Sequence, residues 1–324
     1  MAGDAVAAAL ADAGLGPGDV DGLAIAGEVE LSSPEVLGIA GRRPACRMAL
    51  GASALHAGWD SVATGVHDVV VCVANEPSPW GGGNGAPSIE ALAAAARGYM
   101  RDSGTTERHL ARVAAKNRGH GASNPRALLR SEVDPAEVLA SEPLAGPLRS
   151  LMVARPAQGA AAVVFGSGRD GRRGGPRAPR VRASVHLGSP PEGPTVAPRV
   201  ARLAYFAAGL GPEDVDLAEI EDATPAEEIS AYEALELAPY CRGYELVDSG
   251  FTSLGGVVPV NTSGGTLAQG LLAVSGALMQ LVELAQQLRG RAGRRQVPGA
   301  RVGLALAGGG AARRAPTSVT ILSA

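Results

Sequence analysis

The chain has 324 residues, with 29 Lys and Arg against 32 Asp and Glu, for a formal net charge of −3. That near-neutral balance excludes a general nucleic-acid binder, which carries a basic excess. The length allows one large domain or two of ordinary size, with ample core. Aromatic residues are only 3% of the chain, so the core must be built from Ala, Val and Leu. Gly 45 and Pro 23 are high, but no collagen period accompanies them. A single lysine, Lys116, stands among arginines, which reads as coding bias rather than chemistry. Three cysteines, Cys46, Cys72 and Cys241, cannot frame a disulfide scaffold and suggest a reducing compartment. No apolar run approaches the roughly 20 residues of a membrane span. The opening MAGDAVAAALADAG carries Asp4 and Asp12 and no basic stretch, unlike a signal peptide. The expectation is a soluble cytoplasmic protein.

In chain order, an Ala-rich helix runs from about Asp4 to Gly14, where a left-handed residue is cheap. Pro17 opens a turn containing Asp19-Val20-Asp21, and the apolar strand LAIAG follows. A helix near 51–64 feeds HDVVVCVANE (67–76), a continuous apolar strand whose two faces should both be buried. GGGNG (81–85) reads as a flexible lid, and GAAAVVF (159–165) as another buried strand. The Gly/Pro/Arg-rich stretch 166–182 reads as a surface connection. Residues 204–220 then repeat residues 9–25, with ten of seventeen positions identical at an offset of 195. A long helical pattern over 265–289 has Leu at 271, 272, 278, 281, 284 and 288, and the strand RVGLALAGGG (301–310) follows. The reading is an α/β protein of two related halves, 1–166 (with a loop region at about 77–150) and 183–324, joined by 167–182.

Several stretches carry a family resemblance. DLAEIEDATPAEEISAYEALEL (216–237), GGVVPVNTSGG (255–265) and QLVELAQQLRGRAGRRQV (280–297) resemble the C-terminal half of sterol-carrier-protein-x, or lipid-transfer-protein, type thiolases. YMRDSGTTERHLARVAAKNRGHGASNPRALLR (99–130) resembles the loop region of that group. PLAGPLRSLMVARPAQGAAAVV (143–164) resembles its following segment, with Gln158 where the family has Asp. The resemblance covers nearly the whole chain. It implies the thiolase fold, helices packed around mixed β-sheets in five αβαβα layers. It also implies a strand ahead of the first helix. That strand is not seen here, and its absence exposes a sheet edge unless something covers it.

The resemblance implies a nucleophilic Cys, a second Cys as acid/base and two His. Gly51, Ala54, Gly65 and Glu76 fit the family spacing and place Met48 at the nucleophile. Glu221, followed by Asp222, falls at the first His, Leu271 at the second, and Leu306 near the second Cys. Met is no thiolate, and Leu neither moves a proton nor donates to an oxyanion, so conventional thiolase chemistry is not expected. Neighbours on a strand point to opposite faces, so one of Glu221 and Asp222 faces the old site, and the resemblance points to Glu221. A buried Glu221 beside Leu271 and Met48 would have a raised pKa and serve as acid or base. Tyr240 and Tyr244 are candidate proton donors. Asn261, Ser263, Gly264, Gly265 and Gly309 form the acyl-thioester pocket or serve only structure. Cys46 and Ser53 are candidate substitute nucleophiles. No metal-ligand spacing occurs in the sequence, and no cofactor is expected beyond acyl-CoA or another acyl-thioester as ligand.

Three functions compete. One is a non-catalytic thiolase-like subunit, as a homodimer or with a thiolase-like paralogue or an OB-fold/zinc-ribbon protein. The second is a retro-aldolase on a β-hydroxyacyl-CoA with an OB-fold partner. The third is an acyltransferase with a non-standard nucleophile. None involves nucleic acid or a membrane.

Overall fold

The computed structural model describes residues 1–27, 45–48, 50–77, 87–168, 178–188, 195–310 and 316–324. The Gly-rich 81–85 and residues 169–177 of the connection lie outside the described residues. The first sheet has order β2-β1-β3-β6, from β1 (Gly22–Gly27), β2 (Ala45–Met48), β3 (Val69–Glu76) and β6 (Gly159–Gly166). β1 runs parallel to β2 and β3, and β6 is antiparallel to β3. A small hairpin, β4 (Pro143–Ala145) and β5 (Leu148–Arg149), precedes β6. The second sheet has order β7-β10-β9-β8, from β7 (Arg180–Leu187), β8 (Leu217–Ile220), β9 (Val302–Ala307) and β10 (Thr317–Ser323). Only β8 and β9 are parallel there.

Side-chain alternation along these strands sets the layers. Leu23, Ile25, Val69, Val71 and Val73 face outward and pack on Val6 and Leu10 of α1 (Ala2–Ala13). Ala24, Ala26, Val70, Cys72 and Ala74 face inward. They meet Ala54 and Leu55 of α2 (Gly51–Ala63) and Leu278, Leu281 and Leu284 of α10 (Gly276–Leu288). Leu217, Ala305 and Leu322 of the second sheet close the same cluster. The far face of that sheet presents Ile220, Leu304, Leu306, Val319 and Ile321 to Val200, Ala201 and Ala204 of α6 (Ala197–Ala208). Helix, sheet, two helices, sheet and helix therefore stack as five layers, as the resemblance implies. β3 is buried at every residue, as its unbroken apolar run requires.

A separate layer of α3 (Ile89–Ser103), α4 (Glu107–Ala122) and α5 (Pro135–Ala140) packs on the second half. Leu92, Leu110 and Val113 join one cluster with Ile229 and Tyr232 of α7 (Pro225–Ala234). The short α8 (Gly243–Asp248) follows α7.

The sequence repeat is reproduced bond by bond. α1 and α6 end at Gly14 (φ 67°) and Gly209 (φ 66°). Asp19 accepts from Gly16 N at 2.9 Å and Asp214 from Gly211 N at 2.8 Å. Asp21 accepts from Asp68 N and Val69 N, clamping β1 to β3. Asp216 accepts from Arg301 N and Val302 N, clamping β8 to β9. One sequence-based expectation changes. The single helical pattern over 265–289 is two helices, α9 (Gly265–Gln269) and α10. Gly270 adopts φ 100° between them, and Leu271 leaves the helix to bridge Pro156. Leu271 N donates to Arg155 O at 2.7 Å, a backbone pairing that outcompetes helix continuation.

Candidate functional site at the strand ends

Ligands in open α/β sheets bind outside the carboxyl ends of parallel strands. The carboxyl ends of β1, β2 and β3 carry Gly27, Met48 and Glu76. Val274, just before α10, meets β1, β3 and the start of α2. Its amide donates to Glu76 Oε2 at 3.1 Å. A Cβ at Gly27 would fall 2.9 Å from a Val274 methyl, and one at Gly51 would fall 1.9 Å from its carbonyl oxygen. Only glycine lets the start of α2 come this close. The spacing that placed Met48 thus corresponds to a real convergence of α2, β3 and the 271–275 segment. Met48 is half-buried and packs against the inner cluster. Leu271 is half-buried and packs on the outer one. Leu306 also faces outward with Ile220, so its side chain and Met48's lie in different layers.

Past the end of β8, Asp222 is fully buried. Its carboxylate accepts from Thr266 N at 2.5 Å and Asn117 Nδ2 at 2.7 Å. Burial, followed by the nearby Glu228, pushes the Asp222 carboxyl well above the usual carboxylate range. Glu221 is half-buried, and its Oε2 accepts from Gly308 N, just past β9, at 2.8 Å.

The Asn261–Gly265 turn rests on two buried networks. In the first, Glu228 accepts from Lys116 Nζ (2.6 Å), Asn117 Nδ2 (2.5 Å) and Asn261 Nδ2 (2.7 Å), and from the Tyr232 hydroxyl. Asn261 has φ 56°, tolerable for Asn, and its Oδ1 accepts from Ile220 N at 2.7 Å. His120 accepts Leu254 N at Nε2 (3.1 Å), so its Nδ1 carries the proton donated to Asn261 O (2.9 Å). Burial, with Lys116 nearby, pushes this neutral imidazole down to about 4. In the second network, Glu219 accepts from Ser263 N and from the Thr262 and Ser263 hydroxyls. Burial and Glu283 raise the Glu219 carboxyl to about 8. Arg295 makes a two-pronged pair with Glu283, through Nη2 at 2.8 Å and Nε at 3.2 Å. The polar side chains of Asn261, Thr262 and Ser263 are thus engaged internally. Gly264 and Gly265 sit where a Cβ would strike Gly121 and Asp222. Gly309 (φ 81°) lies against Ala197, and its carbonyl accepts from the Thr195 hydroxyl.

The tyrosines are elsewhere. Tyr240 is 84% exposed, and Tyr244 stacks on His109 with ring centroids 5.3 Å apart. Cys46 is exposed on β2, Cys72 is buried with its thiol pushed up by burial, and Cys241 is half-buried. Ser53 has His186 Nε2 at 3.3 Å from its Oγ. His56 stacks on His186 and lies 3.1 Å from Ser184 Oγ. His186 Nδ1 has no hydrogen-bond partner among the described residues, so nothing there orients the ring as a triad carboxylate would. A cavity of about 430 Å³ between α4, α8 and residues 250–254 is lined by Arg112, Lys116, His120 and Leu254, among others, and by none of the candidate site residues read from sequence. Its Lys116 is already paired with Glu228.

Sequence reasoning missed Lys116, Asn117, His120, Glu219, Glu228, Glu283 and Arg295 as parts of one support. The lone lysine was the available signal. Its ammonium is buried against Glu228 and the Val260 carbonyl, which corrects the reading of Lys116 as coding bias. Among the described residues no His, Cys, Asp and Glu cluster could hold a metal ion, and no helix is long and apolar enough to cross a membrane.

The layers and the strand-end site define a thiolase-type α/β protein. Residues 189–323 match the family model described as Thiolase C-terminal domain-like. Acetyl-CoA acetyltransferase of Methanothermobacter thermautotrophicus is 32% identical over 285 residues, covering 79% of this chain and 73% of that protein. Sterol carrier protein 2 of Rattus norvegicus is 34% identical over 223 residues, 65% of this chain, and the match spans only 41% of that relative's length. Among solved structures, the Ltp2-ChsH2(DUF35) aldolase superposes with a TM-score of 0.87 at 25% identity, covering 100% of this chain and 92% of that one. A monomeric SCP2-thiolase like protein type 1 from Mycobacterium smegmatis has a TM-score of 0.77 at 22% identity, covering 100% and 72%, and shares the fold. The chain belongs to the thiolase superfamily and is similar to sterol carrier protein 2 over part of that protein's length.

Proposed function

We propose that the chain is a thiolase-fold subunit without thiolase chemistry, serving an acyl-thioester within a larger assembly, with a thiolase-like paralogue or an OB-fold/zinc-ribbon protein as partner. One feature carries this reading: by the family spacing Met48 and Leu271 fall at the reactive positions, and the scaffold around them is kept. The close approach of Gly51 to Val274 and the buried networks under Asn261–Gly265 keep the scaffold in place. A thioether and an alkyl side chain supply neither nucleophile nor proton. The test is incubation of the purified chain with acetoacetyl-CoA and CoA, followed by product analysis and intact mass. No thiolysis and no acyl adduct are expected, and turnover by the chain alone overturns the reading.

A second reading, an aldolase subunit, is favoured by the similarity to the Ltp2-ChsH2(DUF35) aldolase over 92% of that chain. Cleaving a β-hydroxyacyl thioester between Cα and Cβ requires a base for the β-hydroxyl proton and an acid to protonate Cα. Glu221, at the strand ends beside Gly308 N, is the carboxylate suited to the first task. The chain, with and without a co-expressed partner, is given a β-hydroxyacyl-CoA, and wild type is compared with Glu221→Gln. Aldehyde or ketone release that needs Glu221 supports this reading, and no product in any sample removes it.

A further inference from the structure

The internal repeat supplies a control for the surface. α1 and α6 are the outer helices of the two halves, end at equivalent glycines and each bury one face on a sheet. Their exposed faces differ. Phe206 of α6 is 87% exposed, more than any other large apolar side chain among the described residues, and Leu203, one turn earlier, is exposed as well. At the repeat offset their counterparts are Ala11 and Ala8 of α1. The fold therefore requires a large apolar side chain at neither place. The chain has only three phenylalanines. Phe165 is buried and Phe251 packs on the outer cluster, which leaves Phe206 alone in solvent.

The charges around α6 also run against its dipole. A helix favours anions at its N-terminus and cations at its C-terminus. α1 follows that rule, with Asp4 in its first turn. In α6 the equivalent residue is Arg199, and the first turn holds no acid. Glu213 lies just past the C-terminal end of α6, in the turn Pro212–Asp214, where the first half has Gly18. Arg199 and Glu213 are both exposed, and among the described residues neither has an ion-pair partner. Arg202, by contrast, is engaged by Glu236. Arg199, Leu203 and Phe206 follow one another at spacings of four and three, so they share one face of the helix.

We propose that this face of α6 is a contact between two copies of the chain, packed with their α6 helices antiparallel about a two-fold axis at Phe206. A two-fold contact uses the same patch on both copies. Antiparallel packing sets Phe206 against its equivalent, with a Leu203 on either side. It brings the first turn of one α6 beside the end of the other, so Arg199 meets the partner's Glu213, and the pair is made twice. Ala207, small and exposed, leaves room for the ring. The two dipoles then oppose each other, and each misplaced charge gains an opposite one. An apolar centre inside a charged rim is the usual anatomy of a protein contact. α6 has 12 residues, so the contact is small and the association weak, on the order of micromolar or above. The face lies on the far side of the second sheet from α2 and α10, and the inference is independent of the catalytic reading.

The test is sedimentation velocity on the 324-residue chain from about 1 to about 200 µM. A reversible association that doubles the mass is expected. Phe206→Ala, which installs the residue of the first half, should weaken it about tenfold or more. The thermal midpoint of the dilute variant should not fall, which separates lost association from lost folding. Arg199→Glu and Glu213→Arg should each weaken it about tenfold, because each sets like charges against one another. An equimolar mixture of those two variants should recover it, since both cross-pairs are then remade with the signs exchanged. A chain that stays monomeric throughout would overturn the proposal. So would an association that Phe206→Ala leaves unchanged, which places the contact on another face, and a mixture that associates no better than either charge variant alone. Association only with a different protein, lost in Phe206→Ala, would overturn it in favour of a heterologous partner.

Discussion

β1 and β8 are the same strand twice, with opposite chemistry. The inward and terminal positions of β1 are Ala24, Ala26 and Gly27, and 195 residues later they are Glu219, Glu221 and Asp222. The backbones around them match down to the aspartate clamps at Asp21 and Asp216. The first version closes with apolar packing against α2 and α10. The second places carboxylates in the interior, where each needs a partner. α4 delivers Lys116, Asn117 and His120, and the turn after α10 delivers Arg295. The loop region is therefore bound to the second half by polar necessity as well as by apolar area. The two strands share their backbone frame, and only β8 and the residues just past it carry carboxylates at these positions.

Breaking the charged copy should cost far more than editing the apolar one. The largest effect is expected from Arg295→Ala, which leaves Glu283 buried beside Glu219 without its cation. Removing one member of a buried pair costs about 3–5 kcal/mol, readable as a lower urea midpoint. Next comes His120→Ala, which orphans the Leu254 amide and leaves the Asn261 carbonyl with Gly264 N as its donor, at about 1–3 kcal/mol. Protease nicking within 250–256 should accelerate in the same variant.

The pH profile sharpens the contrast. Folded Glu219 titrates at about 8 and an ordinary glutamate at 4.5. Between those values the folded state holds a proton that the unfolded chain has lost, so stability falls as pH rises from about 4.5 to about 8. Glu219→Gln should flatten that fall when thermal midpoints at pH 5 and pH 8 are compared. His120 acts in the opposite sense. Its folded value near 4 lies below the ordinary 6.5, so its contribution is lost as pH drops through that window. The smallest effect is expected from Met48→Cys, which restores a thiol at the end of β2 but leaves Leu271 and Leu306 in place. Thiolysis of acetoacetyl-CoA should stay at background, and measurable turnover would show that the lost nucleophile alone separates this chain from an active thiolase.

Much of the fold was legible because repetition is legible. The cap glycines, the Pro17 and Pro212 turns and the aspartate clamps recur at a fixed offset, and the unbroken apolar run of β3 announced a strand buried on both faces. The break at Gly270 was not legible, because Leu271 and Leu272 continue the helical period. It depends on a pairing with Arg155 and Pro156, more than a hundred residues away. Gly51 and Glu76, which set the spacing in the sequence, both meet Val274 in the structure. The candidate acid/base trio was not a unit: Glu221 sits at the strand ends, Tyr240 lies in solvent and Tyr244 is against His109.

The sequence by itself determined the strands, the helices and the internal repeat, because local periodicity and residue identity need no third dimension, and its family resemblance implied the layers. Only the tertiary structure decided which charges are buried and what neutralises them. Lys116 meets Glu228 across 112 residues, and Asn117 meets Asp222 across 105. A carboxylate is tolerable in the interior only when a donor reaches it, and that depends on which helices the fold brings together.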